Sequence, residues 1–358
     1  MTTAHATASI WDAIVGQPSA VRRLQASLAS PLHAYLFVGP PGCGKDEAAR
    51  AFAAALMSGG DDPTTRDARL ALAGEHPDVR EVLRVGAAIS AEQADEIVHV
   101  TALAPAEGPR KVLILHEFHL INPMAAAKLL KTIEEPPGNT VFVVLADHMP
   151  QDLVTIASRC IRIDFGPVPD AIVAAALRDE GIPADRAMEA AAAAQGDLVR
   201  ARLLAHDPNL AARRVLFATT PMRLDGTGRA VVQAVDALLG AIEEAAAPLT
   251  QRHAAEVTAM DQRISAMGER GSGKKSLEER HKRELRRHRT DEIRAGLATL
   301  AGAYRDALVS GALPRPDAAA HAVTRIHLVL EALERNPNEQ LLLQALLLDL
   351  PSLPAVPA

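Results

Sequence analysis

Short apolar runs alternate with segments of helical period through the first half of the chain. Ala34–Val38, Lys111–Leu115 and Thr140–Leu145 are almost wholly apolar, which predicts buried strands. Val79–Val85 reads as an edge strand and Cys160–Phe165 as a final one. Before the first strand, Gly16-Gln17-Pro18 breaks the chain, Val21, Leu24 and Leu28 recur at helical spacing, and Pro31 stops that helix. Further helices are expected over Asp46–Met57, up to Ala73, from Ser90 to about Leu103, from Pro123 to Glu134-Glu135-Pro136-Pro137, and over Leu153–Ser158. Ser90 and Gln93 stand where a capping box needs them. Such alternation implies a parallel sheet with helices on both faces.

After Pro167-Val168-Pro169 the strand-like runs stop. Three short helices are expected to about His206, broken at Gly181-Ile182-Pro183 and Gly196-Asp197, then a longer helical region from Asn209. Its last turn signal is Asn336-Pro337-Asn338, before the apolar helix Glu339–Leu350. The expected organisation is therefore an α/β domain (1–166), a small helical domain (167–208) and an all-α domain (209–358).

Composition narrows the class. At 358 residues and 48% hydrophobic, the chain is long enough for two or three real cores. Aromatics are 3%, so those cores must be Ala, Leu, Val and Ile. The net charge of −6 gives no global attraction to nucleic acid. Cys43 and Cys160 make no metal-ligand spacing and fit a reducing, cytoplasmic setting. Met1–Ser9 lacks the pattern of a signal peptide, and no apolar run of about 18 residues predicts a membrane span.

One stretch carries candidate chemistry. Gly39-Pro40-Pro41-Gly42-Cys43-Gly44-Lys45 has the spacing of a phosphate-binding loop and lies between a predicted strand and helix. Gly39, Gly42, Gly44 and Lys45 are thus candidate phosphate-binding residues. Gly268–Lys274 repeats the spacing in a charged stretch with no preceding strand, and is expected to be a loop between helices.

The next position of the true loop wants a Ser or Thr hydroxyl for Mg²⁺, and holds Asp46. A carboxylate 4 Å from a phosphate charge repels it by ~1 kcal/mol in water and ~4 kcal/mol at an effective dielectric near 20. The strand Val112–Leu115 should end Asp-Glu, the Asp holding Mg²⁺ and the Glu polarising water. It ends His116-Glu117, and imidazole is a poor ligand for a hard cation. The strand Thr140–Leu145 is followed by Ala146-Asp147, where a neutral hydroxyl would face a γ-phosphate.

Ser158-Arg159-Cys160 sits just beyond the third core strand. A lone Arg at a helix–strand junction is most simply a solvated surface residue. At this place it is also a candidate arginine finger for a neighbour's γ-phosphate, a contact worth ~10³–10⁵ in rate. The basic stretch Lys274–Arg294 interleaves Arg and Lys with Glu and Asp, and contains no aromatics. Its plain reading is a solvated helix laced with i,i+4 pairs; the alternative is a face for DNA or another subunit.

These residues together resemble the clamp-loader branch of the AAA+ ATPases, in particular the delta-prime type of bacterial DNA polymerase III subunits. The resemblance is carried by His33–Phe37, Gly74–Val79, Lys111–Leu115, Leu129–Pro137 and Ser158–Cys160, is dense over about 165 residues, and extends to a helical block like the collar of actinobacterial members. It implies a AAA+ module, a helical lid and a collar in a hetero-oligomeric ring with gamma/tau-like ATPase and delta subunits. That ring opens a sliding clamp and places it on primed DNA as part of the polymerase holoenzyme. It implies a stator without intrinsic ATPase, giving Arg159 in trans to an adjacent ATPase subunit. ATP is not required on this reading, and Mg²⁺ and Zn²⁺ are not expected: the four zinc cysteines common in the family are missing from Ser58–Gly74. ATPase relatives carry a lid arginine three residues after a glycine, where this chain has Val199, with Arg200 next. The alternatives are an active ATPase subunit of the same assembly, or a scaffold with no role at any ATP site.

Overall fold

The computed structural model describes residues 9–84, 88–150, 153–267, 274–311, 316–333 and 337–354. The chain forms two compact units, 1–202 and 203–358.

The first unit is built on a five-stranded parallel sheet in the order β2-β3-β4-β1-β5. Its strands are β1 (Ala34–Val38), β2 (Val79–Val82), β3 (Lys111–Leu115), β4 (Thr140–Ala146) and β5 (Ile161–Asp164). The three central strands are buried at every position, whereas β2 and β5 are partly exposed. That is the pattern of a sheet covered on both faces, with two edges. Strand β2 is shorter than the Val79–Val85 expected: Leu83 and Arg84 lie outside it, and Val85 is not among the described residues.

Alternation along the central strands sorts two cores. Tyr35, Phe37, Val112, Ile114, Val143 and Leu145 point to one face, with α2 (Lys45–Ser58) and α3 (Arg66–Ala73). Leu36, Val38, Leu113, Leu115, Phe142 and Val144 point to the other, with α4 (Ala91–Ala102) and α5 (Pro123–Glu134). Helix α2 packs with alanines, among them Ala48, Ala51 and Ala55, which is how a sheet so poor in aromatics is covered closely. The ends are set locally. Helix α4 has the full Ser90/Gln93 capping box, Asn122 caps α5, and Gly59 and Gly74 end α2 and α3 in the left-handed conformation. The first helix, α1 (Pro18–Ser27), ends short of Pro31.

The short helix α6 (Val154–Ala157) precedes β5, and α7 (Asp170–Asp179), α8 (Ala184–Ala194) and the start of α9 (Leu198–Ala205) complete the first unit.

The second unit is helical: α10 (Leu210–Thr219), α11 (Gly228–Ala245), α12 (Ala247–Met267), α13 (Lys274–Val309), α14 (Pro316–Ala332) and α15 (Glu339–Asp349). Its core joins Phe217, Val235, Ile242, Leu297, Tyr304, Ile326 and Leu346. Residues 268–273, which carry the repeated glycine spacing, and Asn336 lie outside the described residues.

Candidate functional site

The loop between β1 and α2 lies at the C-terminal ends of the parallel strands, where β1 pairs Val38 with Ala146 of β4 and with Asp164 of β5. Backbone geometry there depends on glycine. Gly42 and Gly44 have φ of +65° and +91°. A Cβ on Gly39 would stand 2.5 Å from the carbonyl oxygen of Phe165. Gln17 ties the loop to the end of β5, its Nε2 donating to the carbonyls of Cys43 (2.9 Å) and Gly166 (2.6 Å). Burial raises the Cys43 thiol to about 11, so it is a small apolar filler here.

Lys45, 4% exposed, turns inward. Its Nζ donates to the carbonyl of Pro40 at 3.1 Å and pairs with Asp147 Oδ1 at 2.7 Å. Asp147 stands one residue past β4 and is held from behind: its N–H donates to Nδ1 of His119 at 3.1 Å. Burial lowers the pKa of His119, which fits a neutral ring accepting that bond.

Asp46 and His116 lie together. His116 Nδ1 is 3.0 Å from Asp46 Oδ1, and its Nε2 is 2.9 Å from Glu81 Oε2. Glu81, on β2, also accepts from Arg50 Nε (2.6 Å) and Nη2 (2.9 Å) on α2. Burial alone would lower the His116 pKa, but bonds to Asp46 and Glu81 outweigh it and hold it at about 9. Burial likewise raises Glu81, while His116 and Arg50 bring it to about 2. Near neutral pH the pairing is thus an imidazolium between two carboxylates, with a guanidinium closing the chain.

Glu117, the other half of that strand end, has φ of +48° and pairs with Arg84, at 2.8 Å from Arg84 Nε. The start of α9 covers the loop. Leu198 N–H donates to the Gly42 carbonyl at 3.1 Å, and Asp197 caps the helix by accepting from Arg200 N–H at 2.8 Å. The Asp197 carboxylate lies so close that a Cβ on Gly42 would stand 1.8 Å from its Oδ1. A cavity of about 20 Å³ lies beside the loop, lined by Val15, Gly42, Gly44, Val168 and Leu198 among others. That is room for about one water.

Arg159 lies at the other end of the sheet. Strand β5 runs parallel to β1, pairing Ile161 with Tyr35 and Asp164 with Val38. Arg159 therefore precedes the N-terminal end of β5, while the loop follows the C-terminal end of β1. Four residues of strand separate those ends, on the order of 13 Å. Arg159 Nε donates to Glu134 Oε2 at 2.8 Å, and Nη1 to the Thr155 carbonyl (2.8 Å) and Ser158 Oγ (3.1 Å).

Sequence reasoning singled out Asp46, His116, Asp147 and Arg159 but missed Glu81, Arg50, Glu134 and the reach of Asp197 to the loop. Two departures from one pattern, one acidic and one basic, are the available signal for the Asp46–His116 pair. Nothing local marks Glu81 as its third member. Among the described residues no group of three or more His, Cys, Asp or Glu could hold a metal ion. No helix among them is long and apolar enough to cross a membrane.

Residues 16–169 match the family described as DNA polymerase III, delta subunit. The chain is 34% identical over 188 residues to the DNA polymerase III subunit delta' of Pseudomonas aeruginosa, covering 49% of this chain and 56% of that one. It is 35% identical over 164 residues to the subunit tau of Bacillus subtilis, covering 43% of this chain and 29% of that one. These matches thus span little more than half of one relative and less than a third of the other. A Thermotoga maritima structure of a DNA polymerase III gamma subunit-related protein aligns over 92% of this chain and 97% of its own, at 18% identity and a TM-score of 0.45. By its family match and sequence relatives, the α/β module of this chain resembles the clamp-loader subunits of DNA polymerase III, delta' and tau alike.

Proposed function

We propose that the chain is the delta'-type subunit of a DNA polymerase III clamp loader, a stator without ATPase activity of its own that lends Arg159 to the ATP site of an adjacent subunit. Relatives of both the delta' and tau kinds match, so overall similarity does not choose between them; the contacts of the loop favour the delta' reading. The carrying observation is that the two residues departing from the ATPase pattern, Asp46 and His116, bond to each other, and that His116 bonds on to Glu81.

This arrangement does not suit Mg²⁺-bound polyphosphate. Asp46 already has its cation, the His116 imidazolium. Lys45 is spent on Asp147, and the carboxylate of Asp197 stands against the loop. A polyphosphate would meet three carboxylates and have to displace the internal partner of the lysine. Each like-charge contact near 4 Å opposes it by ~4 kcal/mol at an effective dielectric of 20. We read Gly39, Gly42, Gly44 and Lys45 as a strand–helix turn kept closed by ion pairs. On this reading residues 167–208 are a lid and 209–358 a collar, and the partners are gamma/tau-like and delta subunits, the sliding clamp and primed DNA, in the cytoplasm.

Arg159 supports the second half of the reading. At the far end of the sheet it cannot serve its own loop, and it stands partly exposed where a neighbour could dock, its side chain 31% accessible. The test is ATP turnover. The purified chain with Mg²⁺-ATP should show none, and Arg159→Ala should lower the rate at the dependent site of the assembled complex by ~10³ or more. Turnover by the isolated chain would instead favour the active-ATPase reading that the match to tau leaves open. Full activity with Arg159→Ala would leave only a scaffold.

A further inference from the structure

The guanidinium of Arg159 is held along part of its rim and open on the rest. Nε donates to the Glu134 carboxylate, and both Nη1 bonds go to the turn that precedes it, at Thr155 and Ser158. Ser158 Oγ is itself fixed, donating to the Thr155 carbonyl at 2.8 Å. The next residue, Cys160, packs against the sheet core, where burial pushes its thiol up to about 12. The two N–H groups of Nη2 have no partner among the described residues. A long flexible side chain has thus been fixed before any partner arrives, with one nitrogen left to donate.

We propose that Glu134 is the positioning residue of Arg159: it orients the guanidinium so that Nη2 is presented to the terminal phosphate of a nucleoside triphosphate on the neighbouring subunit. The inference rests on the reading of Arg159 as an arginine donated in trans. Glu134 comes from the last turn of α5, and Arg159 from the turn after α6. A carboxylate fixed on one helix therefore sets the direction of an arginine on another segment. Fixing the side chain in advance removes part of the ordering cost from the moment of binding, and small misplacements of a catalytic group are costly in rate. The structural alternative is an ordinary surface ion pair, and such pairs add little to stability. The two differ in what they move: a surface pair shifts nothing in turnover, whereas a positioning residue lowers kcat without touching the stability of the chain.

The experiment compares complexes assembled with the wild-type chain, Glu134→Ala, Glu134→Gln and Arg159→Ala, reading kcat and KM for ATP and the Tm of each purified chain. Glu134→Ala should lower kcat roughly tenfold with KM unchanged, and leave Tm within about 2 °C. Glu134→Gln keeps an acceptor oxygen and should recover most of the loss. Adding Glu134→Ala to Arg159→Ala should cost nothing further. If Arg159→Ala lowers kcat while Glu134→Ala stays within about twofold of wild type, the positioning role is overturned and the finger stands. A loss from Glu134→Ala that persists in the Arg159→Ala background also overturns it. If Arg159→Ala itself has no effect, the finger reading fails and the positioning role with it.

Discussion

His116, at the end of β3, is charged because of what surrounds it. An imidazole buried at 6% exposure would ordinarily be neutral, but here it bridges Asp46 and Glu81 and its pKa stands at about 9. The sign of the pH dependence follows. A pKa raised from 6.5 contributes stability in full below 6.5, lost as pH rises through 9. Glu81, lowered from 4.5 to about 2, contributes above 4.5 and loses it as pH falls through 2. The two share one pairing, so its worth is counted once, at ~3 kcal/mol from the imidazole side. Urea unfolding should therefore show stability falling by that order between pH 6 and pH 10, with a much smaller fall in His116→Gln. A double-mutant cycle of Asp46→Ala and His116→Ala should return a coupling of ~1–3 kcal/mol, against nearly zero if the residues acted independently. In the sequence both residues read as departures from the ATPase pattern. That they form one bonded unit was not legible, because their partner Glu81 is brought in by the pairing of β2 with β3.

The elements were more legible than their contacts. The strand and helix pattern gave the sheet, because period and burial are local properties; its shortfalls are at ends, where β2 stops at Val82 and α1 at Ser27. The plainer of the two readings of the basic stretch in α13 pairs its charges along their own helix. Some pairs do run that way, such as Lys282–Glu279, but Arg280 reaches Glu256 on α12, and Arg289 reaches Glu243 on α11 and Glu339 on α15. The ring of His253 on α12 stacks on that of His281 on α13 at 3.9 Å, and each bonds a glutamate across the pair, Glu284 and Glu256. Interhelical register decides such pairs, and no periodicity reveals it. Close approach elsewhere in α13 depends on Gly296, whose Cβ would stand 2.2 Å from the Phe217 ring of α10. Gly296→Ala should thus cost ~1–3 kcal/mol from overpacking, against the ~1 kcal/mol gain expected of alanine in an open helix. Denaturant unfolding gives the sign: net stabilisation would show that the helices have room.

At the scale of the molecule, the two ends of one sheet carry different groups. At the C-terminal ends of the strands, the glycine-rich loop after β1 is flanked by the Lys45–Asp147 pair and by the Asp46–His116–Glu81–Arg50 chain. Before the N-terminal end of β5, Arg159 is clamped and partly exposed. On the reading proposed above, such a subunit would contribute to a neighbour's chemistry through Arg159 and leave its own loop closed. The direct measurement is ATP turnover of the assembled complex with one residue changed at either end of the sheet. Lys45→Gln, which keeps a donor near Asp147, should leave turnover unchanged, whereas Arg159→Ala should abolish it at the dependent site. The reverse, a loss with Lys45→Gln and none with Arg159→Ala, would contradict the account.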